Sequence, residues 1–410
     1  MVLIAGYYGF GNTGDEAILA AILNGLHAHS PSARAVVISG DPADTQRRHG
    51  VEAIPWRDVV AISRAVRDGD LVLVGGGGLF QDHWGVDPGS LLTPDHYGIS
   101  FYAGPAVLAA LEGKPLALVG LGIGPLASPE ARRMVRGVCE ASSLLSVRDA
   151  ASRDLLVASG LEAKRITVSA DPAFALAPAR RSAADLLREA GVEAGGSSPS
   201  PIVAVALRPW TLGADPDRWE AEVAGALDRL IEKTGGSLLF VPFQKSPRAD
   251  EDDAGVAARV RGRLGPTAAA RAVEIPDPLS PSETRGLLAS CDLVLAMRLH
   301  AAVFAVAGAV PLVGIGYDPK VRSLFERLNL LSLFEPLEAL SGWSLQARME
   351  SALDAGEGLR ARLSEEAAEL ARVASADLTA TASILEKPFE PRSVTAAQRE
   401  IGRASCRERV

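Results

Sequence analysis

With 410 residues, 48% of them hydrophobic, the chain is long enough for two domains that each bury a core of their own. Its formal net charge of −8 argues against a nucleic-acid footprint over the whole surface, although a local basic pocket remains possible. No uncharged run approaches the roughly eighteen residues that span a bilayer, and the apolar start has no basic leader, so we expect neither a membrane helix nor a secretory signal. Three cysteines without metal-binding spacing suit a reduced, cytoplasmic setting.

Short apolar runs alternate with helical patterns along the first half of the chain. This alternation is typical of stacked βαβ units and a parallel sheet. We predict strands at residues 2–8, 35–39, 71–74, 116–121, 144–147 and 166–169. We predict helices, among others, at residues 16–27, 105–111 and 129–140. A small, polar stretch at residues 193–201 follows and is the best linker in the sequence.

The second half of the chain shows the same alternation of apolar runs and helical patterns. We predict strands at residues 202–207, 238–242, 293–296 and 311–315. We predict helices at residues 217–233, 252–264, 281–290 and 301–308, with one or two long closing helices at 359–385. The sequence therefore predicts an α/β fold with two facing Rossmann-like domains, at residues 1–190 and 200–386, and a cleft between them.

The C-terminal stretch is kept out of this fold prediction. Residues 387–410 are interpreted as a disordered tail, since they lack an apolar period. Within it, residues 400–410 resemble the translation of a sequencing-library adapter and are interpreted as non-native sequence. Cys406 is therefore not a candidate for chemistry.

The glycine-rich segment GFGNTG at residues 9–14 follows the first predicted strand. Its spacing matches a dinucleotide-binding fingerprint, but Asp15 and Glu16 would stand where the cofactor's phosphates meet the helix. NAD binding is therefore disfavoured. The glycines more simply permit a tight turn, with Asn12 or Thr13 capping the helix that follows.

Two further glycine-rich segments, GGGG at 75–78 and GLGIGP at 120–125, follow other predicted strands. Such runs are expected where no side chain fits, and their amides can form an anion nest or line the floor of a cleft. Because three glycine loops fall on one edge of one sheet, a binding cleft is favoured over packing alone. The predicted substrate-binding residues in these loops are Gly11, Asn12, Gly76 and Gly77.

Basic side chains follow several predicted strands, where they could converge on one ligand. Arg298 and His300 offer a fixed cation and a titratable group two residues apart. Arg148, Arg208 and Lys320 end other strands. Each cation could instead form a surface ion pair worth about 0–1 kcal/mol, and the histidine could cap a helix. A small ligand with two or three negative charges gives them one common role, since charge-assisted hydrogen bonds contribute about 1.5–3 kcal/mol each.

Acidic and aromatic residues near the glycine run could form a binding site for a sugar. Asp82 follows the glycine run and could act as a base or hold an acceptor sugar. Asp171, at the end of another predicted strand, could have the simpler role of forming a turn. His83 and His96 frame a loop with aromatic residues that suit a carbohydrate, although such loops are usually packing. The sequence has no HExxH motif and no paired cysteines, so no protein-held metal is expected.

The joint order of these motifs resembles the polysaccharide pyruvyl transferase family, most closely its CsaB-type cell-wall enzymes. The motifs lie at residues 9–16, 75–82, 122–125, 146–149, 171–172, 298–300 and 314–320. The resemblance implies a GT-B-like fold and transfer of pyruvate from phosphoenolpyruvate onto a sugar as a ketal, with release of phosphate and no cofactor. In CsaB-type members the acceptor is a lipid-linked, ManNAc-containing wall precursor that later anchors S-layer proteins.

The positions that match the family's motifs carry its roles to this chain. Phosphoenolpyruvate brings a carboxylate and a phosphate, so Arg148, Arg298 and Lys320 are assigned as an anion clamp. Proton delivery to C3 makes C2 electrophilic, and His300 is assigned as the general acid. Asp82 is interpreted as the base for the acceptor.

Two alternatives to pyruvyl transfer stay open. A GT-B glycosyltransferase that uses a nucleotide sugar would also need a cleft and cations, although no base-reading loop with an acidic ribose clamp is visible in the second half. A non-catalytic binding module is disfavoured by the intact set of Arg298, His300 and Lys320. We expect phosphoenolpyruvate and a lipid-linked saccharide as partners, no nucleic acid, and a cytoplasmic location compatible with contact to the inner face of the plasma membrane.

Overall fold

The computed structural model describes residues 1–83, 85–192, 200–275 and 279–386. The chain divides into two compact units. Of the described residues, unit 1 comprises those within 1–10, 15–176 and 372–386, and unit 2 comprises those within 11–14 and 177–371. Each unit alternates strands with helices, as the sequence predicts.

Unit 1 contains a seven-stranded parallel sheet. Its strands are β1 (Val2–Ala5), β2 (Ala35–Ser39), β3 (Glu52–Pro55), β4 (Leu71–Phe80), β5 (Leu116–Ile123), β6 (Leu144–Val147) and β7 (Thr167–Val168). They are ordered β3-β2-β1-β4-β5-β6-β7. The direction of winding reverses between β1 and β4, and doubly wound sheets bind ligands outside the carboxyl ends of the strands at such a point.

Helices cover the unit 1 sheet and bury its strands. They are α1 (Thr13–His29), α2 (Pro42–His49), α3 (Val59–Asp68), α4 (Gly98–Leu111), α5 (Pro129–Ala141) and α6 (Ala150–Ala158). Every residue of β1 and β5 is buried, because helices on both faces of a parallel sheet leave no strand face to water. The starts of five of these helices are capped by side chains, those of Asn12, Asp41, Asp58, Ser128 and Asp149.

Unit 2 repeats this order in a six-stranded parallel sheet. Its strands are β8 (Ile202–Ala206), β9 (Ser237–Phe240), β10 (Ala272–Glu274), β11 (Leu293–Ala296), β12 (Leu312–Gly316) and β13 (Phe334–Pro336). They are ordered β10-β9-β8-β11-β12-β13, so the winding reverses between β8 and β11.

The remaining helices lie between residues 183 and 385, and the C-terminal part of the last one belongs to unit 1. They are α7 (Ala183–Glu189), α8 (Pro216–Thr234), α9 (Asp253–Arg261), α10 (Pro266–Ala269), α11 (Pro281–Leu288), α12 (Leu299–Ala307), α13 (Pro319–Arg327) and α14 (Gly342–Leu385). The last is broken at Gly356, where φ is 42°, so it consists of two helical segments. Among the described residues, no helix combines the length and apolar character that a bilayer crossing requires.

The structure contains every strand predicted from the sequence and adds three, β3, β10 and β13. All three are short strands at sheet edges, and two of them end in proline, so they carry no long apolar run. The division into units also differs from the predicted domains, because the chain passes to unit 2 after residue 176 and returns to unit 1 at residue 372. Residues 193–199 of the predicted linker (193–201) and the predicted tail at 387–410 lie outside the described residues.

The glycine run at residues 75–78 forms part of β4 rather than a loop after it. Gly76 and Gly77 have φ values of 53° and 83°, and the pairing of β4 with β5 shifts register after Gly77. A Cβ at Gly76 would lie 2.3 Å from a methyl carbon of Ile18 in α1. The glycines therefore let α1 pack directly against the strand.

Replacing Gly76 with alanine tests this close approach. Gly76→Ala should lower the free energy of unfolding by about 1–3 kcal/mol, since the added methyl overpacks the α1–β4 interface. The measurement is equilibrium unfolding in urea. Gly50→Ala is the matched control, because Gly50 also has a positive φ, 67°, while a Cβ there meets nothing within 4 Å. Equal unfolding midpoints for Gly76→Ala and the wild-type protein would contradict the packing argument.

Candidate active site

The carboxyl edge of the unit 2 sheet gathers polar side chains from three neighbouring strands. Arg208 follows β8, Arg298 and His300 follow β11, and Tyr317 and Lys320 follow β12. Strand β11 pairs with β8 on one side and with β12 on the other. These residues thus stand at and beside the point where the strand order reverses, which is where ligands bind in doubly wound sheets.

Arg298 forms a buried ion pair with Asp253, the first residue of α9. The Arg298 Nε donates to Asp253 Oδ2 at 3.0 Å, and Nη2 donates to Oδ1. The two residues are only 7% and 1% exposed. Burial raises the pKa of the Asp253 carboxyl, while the charge of Arg298 acts in the opposite direction. The pair fixes the start of α12 beside α9. Removing one partner of such a buried pair lowers the free energy of unfolding by about 3–5 kcal/mol.

His300 lies against the backbone of Gly14. A Cβ at Gly14 would lie 1.9 Å from the imidazole Nδ1 and 2.3 Å from its Cγ, so only glycine leaves room for the ring. His300 is half-buried and is the second residue of α12. A rigid helix and a glycine seat therefore hold the imidazole at the edge of the sheet.

Residues 11–14 are held in place by the segment after β9. The Thr13 amide donates to the Phe243 carbonyl at 2.7 Å, and Asn12 Nδ2 donates to Gln244 Oε1 at 3.3 Å. The Gly14 amide donates to Asn12 Oδ1 at 2.9 Å. Phe243 and Gln244 in turn donate their amides to Asp253 Oδ2, both at 3.0 Å. The seat of the imidazole and the partner of Arg298 thus belong to one network.

Gly11 and Asn12, predicted to bind substrate, both take part in this packing. The Gly11 carbonyl accepts a hydrogen bond from the Lys245 amide at 3.2 Å, and a Cβ at Gly11 would lie 2.6 Å from the Lys245 carbonyl oxygen. Their geometry supports a structural role, while the prediction that they bind substrate stays a prediction.

Tyr317 lies at the centre of a cationic cluster. Arg208 Nη1 donates to its phenol oxygen at 3.1 Å, and Lys320 Nζ lies 5.5 Å from its ring centroid. Trp210 covers the ring at a centroid distance of 4.6 Å, and Asp318 Oδ2 is 3.3 Å from Lys320 Nζ. Burial alone would raise the pKa of Tyr317, but the positive charges of Lys320 and Arg208 bring that pKa below its ordinary value.

Arg148 belongs to unit 1, where it follows β6. Its Nη1 lies 3.3 Å from Asp171 Oδ2, and its Nε lies 3.6 Å from Asp149 Oδ2. A Cβ at Gly122 would lie 2.4 Å from Arg148 Nη2, and one at Gly78 would lie 4.0 Å away. Gly122 of β5 therefore makes room for the guanidinium group, whereas a Cβ at Gly78 of β4 would make only an ordinary van der Waals contact with it.

Of the glycines in β4, the exposed one is Gly78. Gly76 and Gly77, which the sequence predicts as substrate-binding residues, are buried. Gly76 faces Ile18 of α1, and a Cβ at Gly77 would lie 2.9 Å from Asp15 Oδ1. Gly78 is therefore the member of the run that is accessible to a ligand, and sequence reasoning could not separate it from its neighbours.

Asp82, in the loop after β4, binds the backbone of the loop after β5. Its carboxylate accepts the Ala127 amide at 3.0 Å and the Ser128 amide at 2.8 Å. Partial burial would raise the pKa of this carboxyl, but the amide hydrogen bonds outweigh it and lower the pKa. A carboxylate held in this way is a weaker base, so the geometry favours a structural role for Asp82.

The aromatic loop behind the glycine run is packed around a buried histidine. His96 is 4% exposed and stacks on Phe101 at a centroid distance of 5.1 Å, with Trp56 at 5.4 Å. Burial lowers the pKa of His96. Tyr97 lies at the surface of this loop and is 42% exposed. These contacts favour the packing interpretation of the loop.

The edge of unit 2 thus combines three cations, a phenol and an imidazole. Such a set can bind a small anion and move protons. Sequence reasoning noted Arg208 only as a strand-end cation, and it missed Asp253 and the seating role of Gly14. The separation of Asp253 from Arg298 along the chain leaves no local signal for their pairing. In the parts of the chain that the structure describes, no three His, Cys, Asp or Glu side chains are placed to hold a metal ion.

A double-mutant cycle tests the glycine seat. Gly14→Ala should lower the free energy of unfolding by about 1–3 kcal/mol, because its methyl overlaps the imidazole ring. In a His300→Gly background the same change should cost much less, since both the ring and the His300 Cβ, which lies 2.7 Å from the added methyl, are gone. Urea unfolding of the four proteins measures the coupling. Equal costs of Gly14→Ala in both backgrounds would show that the ring does not rest on Gly14.

Solved structures share this fold at low sequence identity. A UDP-GlcNAc 2-epimerase from Neisseria meningitidis, bound to UDP-GlcNAc, matches with a TM-score of 0.60 at 11% identity, over 94% of this chain and 100% of that one. HepE from Anabaena, in complex with UDP-glucose, matches with a TM-score of 0.53 at 13% identity, over 99% of both chains. The likeness shows the fold alone, and it confirms two Rossmann-like domains of the GT-B-like class.

Sequence comparison identifies the family. The amylovoran biosynthesis protein AmsJ of Erwinia amylovora is 22% identical over 428 residues, which cover 92% of this chain and 98% of that protein. The family described as polysaccharide pyruvyl transferase matches residues 12–319, a range that contains the His300 seat and the Arg298–Asp253 pair. This match confirms the resemblance seen in the motifs, and the chain belongs to the polysaccharide pyruvyl transferase family.

Proposed function

We propose that this protein transfers the pyruvyl group of phosphoenolpyruvate onto a sugar of a polysaccharide precursor as a ketal, with release of phosphate. Family membership supports a transferase that acts in polysaccharide synthesis. One observation carries the donor assignment: Arg208, Arg298, His300 and Lys320 follow three adjacent strands at one sheet edge. Groups that can bind an anion and a group that can donate a proton therefore lie on the same edge.

The charges at this edge suit a donor with a carboxylate and a phosphate. The charge of Arg298 is balanced by its ion pair with Asp253, and that of Lys320 by the nearby carboxylate of Asp318. Arg208 differs, because its hydrogen bonds go to the phenol oxygen of Tyr317 and to a backbone carbonyl rather than to an Asp or Glu carboxylate. The edge therefore has a surplus of positive charge, and each charge-assisted hydrogen bond to the donor contributes about 1.5–3 kcal/mol.

His300 is the proposed general acid. Its proton goes to C3 of the enol, and C2 becomes an oxocarbenium-like centre that a sugar hydroxyl attacks. Phosphate leaves with the electron pair of its bond to C2, and a second hydroxyl completes the ketal. A positioned acid of this kind contributes about 10²–10⁴-fold to the rate, and the Gly14 seat provides the positioning.

The assignments in unit 1 rest on the family resemblance. Arg148 is proposed to contribute to donor binding, and its guanidinium group is oriented by Asp171. Asp82 is left out of the proposed mechanism, because its carboxylate already binds two backbone amides.

Two acceptor classes fit the family. The motif pattern favours a lipid-linked wall precursor of the CsaB type. AmsJ is by name an amylovoran biosynthesis protein, which favours a precursor of an exported polysaccharide. Both are hydroxyl-rich saccharides, and the product of the reaction distinguishes them.

The alternative is an enzyme that uses a nucleotide sugar. The epimerase and HepE bind UDP-sugars on the same fold, but those ligands belong to those proteins. The family match over residues 12–319 favours pyruvyl transfer instead.

Turnover by the wild-type protein and by His300→Ala tests the proposal. With phosphoenolpyruvate and a synthetic lipid-linked saccharide, the wild-type protein should release phosphate and add one pyruvyl ketal, as seen by mass spectrometry. His300→Ala should lower kcat by about 10²–10⁴-fold. Its affinity for phosphoenolpyruvate should stay within a few-fold, because the cations remain.

His27→Ala is the matched control, since His27 is exposed on α1 and should leave kcat unchanged. Parallel reactions contain UDP-sugars or an exported-polysaccharide precursor. Sugar transfer with release of UDP, and no ketal from phosphoenolpyruvate with either acceptor, would overturn the proposed function. Near-normal turnover of His300→Ala would overturn the acid assignment alone.

A further inference from the structure

The proposed reaction needs a proton acceptor as well as the acid His300. Each sugar hydroxyl that attacks C2 must lose its proton, and a positioned base accelerates this loss. Asp82 is poorly suited, because both of its carboxylate oxygens accept backbone amides and its pKa is lowered. The edge of unit 2 offers another group, the phenol of Tyr317.

The phenol oxygen of Tyr317 is oriented by Arg208. A guanidinium group only donates hydrogen bonds, so the contact of 3.1 Å from Arg208 Nη1 occupies a lone pair of the phenol oxygen. The phenol hydrogen must therefore point away from Arg208. Loss of that hydrogen leaves an oxyanion that the same hydrogen bond stabilises.

The ring of Tyr317 is held as firmly as its oxygen. Trp210 packs on it at 4.6 Å between ring centroids, and the Arg208 guanidinium carbon lies 4.8 Å from its centroid. Tyr317 is 8% exposed, so little solvent competes for its oxygen. It follows β12, the strand next to β11, whose end carries His300. The phenol and the imidazole therefore stand on adjacent strand ends.

The charges around Tyr317 favour its deprotonated form. From β8 it faces Arg208, from the β12–α13 turn Lys320 and Asp318, and from β11 Arg298. Burial raises the pKa of the phenol, but the cations outweigh burial and the single carboxylate, so the pKa lies below its ordinary value.

We propose that Tyr317 is the group that takes the proton of the attacking sugar hydroxyl. This inference rests on the proposed pyruvyl transfer. The O–H bond of the hydroxyl breaks as its oxygen bonds to C2, and the proton goes to the Tyr317 oxyanion. The π electrons of the enol take a proton from His300 at C3. Phosphate then leaves with the C2–O electron pair and the Tyr317 proton, and the second hydroxyl attacks C2 and returns a proton to His300.

The donor itself strengthens this base. While the edge holds no anion, stabilisation of the deprotonated form by Arg208 and Lys320 keeps the pKa of the phenol below its ordinary value. A bound carboxylate or phosphate against the same cations weakens that stabilisation and raises the proton affinity of the phenolate. The base thus becomes stronger when the electrophile is in place, which ties proton removal to donor binding.

Tyr317→Phe tests the inference, because it removes the oxygen and keeps the ring that packs on Trp210. We expect kcat to fall by about 10²–10⁴-fold while the KM for phosphoenolpyruvate stays within a few-fold. Tyr97→Phe is the matched control, since Tyr97 is exposed, and it should leave both constants unchanged. Urea unfolding checks that each variant is folded.

Two further measurements separate proton transfer from a structural role. The chain has five tyrosines, and phenolate absorbance should show one that ionises at lower pH than the others. This early ionisation should vanish in Tyr317→Phe and persist in Tyr97→Phe, with no substrate present. Fluorotyrosine at position 317 keeps the ring contacts and has a more acidic phenol, so it should shift one limb of the pH–kcat profile downward.

Each outcome decides the inference. A raised donor KM with unchanged kcat in Tyr317→Phe would make Tyr317 a donor ligand and overturn the proposed role. Unchanged constants, or a pH profile that fluorotyrosine does not move, would overturn it while leaving pyruvyl transfer intact. A wild-type protein that forms no ketal from phosphoenolpyruvate would overturn the proposed function and this inference together.

Discussion

The buried pair of Arg298 and Asp253 is the interaction on which the unit 2 site depends. Asp253 binds the guanidinium group just before α12, and it also accepts the amides of residues 243–244. Those residues hold the segment that ends in Gly14, and Gly14 carries the ring of His300. The contacts therefore run from Arg298 through Asp253 and Gly14 to His300, which is only two residues from Arg298 in the chain. A single carboxylate fixes both the helix that bears the imidazole and the seat beneath it.

The sequence predicts that one set of cations binds the donor. In the structure, shaping the site and binding an anion fall to different cations. Arg298 uses two of its nitrogens on Asp253, so it shapes the site and contributes its charge at a distance. Arg208 and Lys320 surround Tyr317 and are the cations better placed to bind an anion directly. The parallel sheet explains why these residues meet, since neighbouring strands all end at one edge. The same positive charge that suits a phosphorylated enol also favours an ionised phenol.

Much of the fold could be predicted from the sequence because both sheets are parallel. Their strands are buried on both faces and read as apolar runs, whereas the edge strands β3, β10 and β13 are short and were missed. Positions after strands were identified correctly for Arg298 and His300, since chain order places them there. The contacts that define the site could not be read in this way. The partner of Arg298 stands far away in sequence, and the buried state of Gly76 and Gly77 depends on how α1 packs.

Hydrogen exchange with and without phosphoenolpyruvate tests most directly whether the cationic edge of unit 2 is the donor site. We predict slower exchange of the backbone amides at residues 298–301 and at 317, 318 and 320 when the donor is present, because the anion orders the helix starts and side chains around it. Inorganic phosphate at the same concentration should protect these residues less, since it lacks the carboxylate. Donor binding that leaves both segments unprotected and protects only residues elsewhere in the chain would contradict the account.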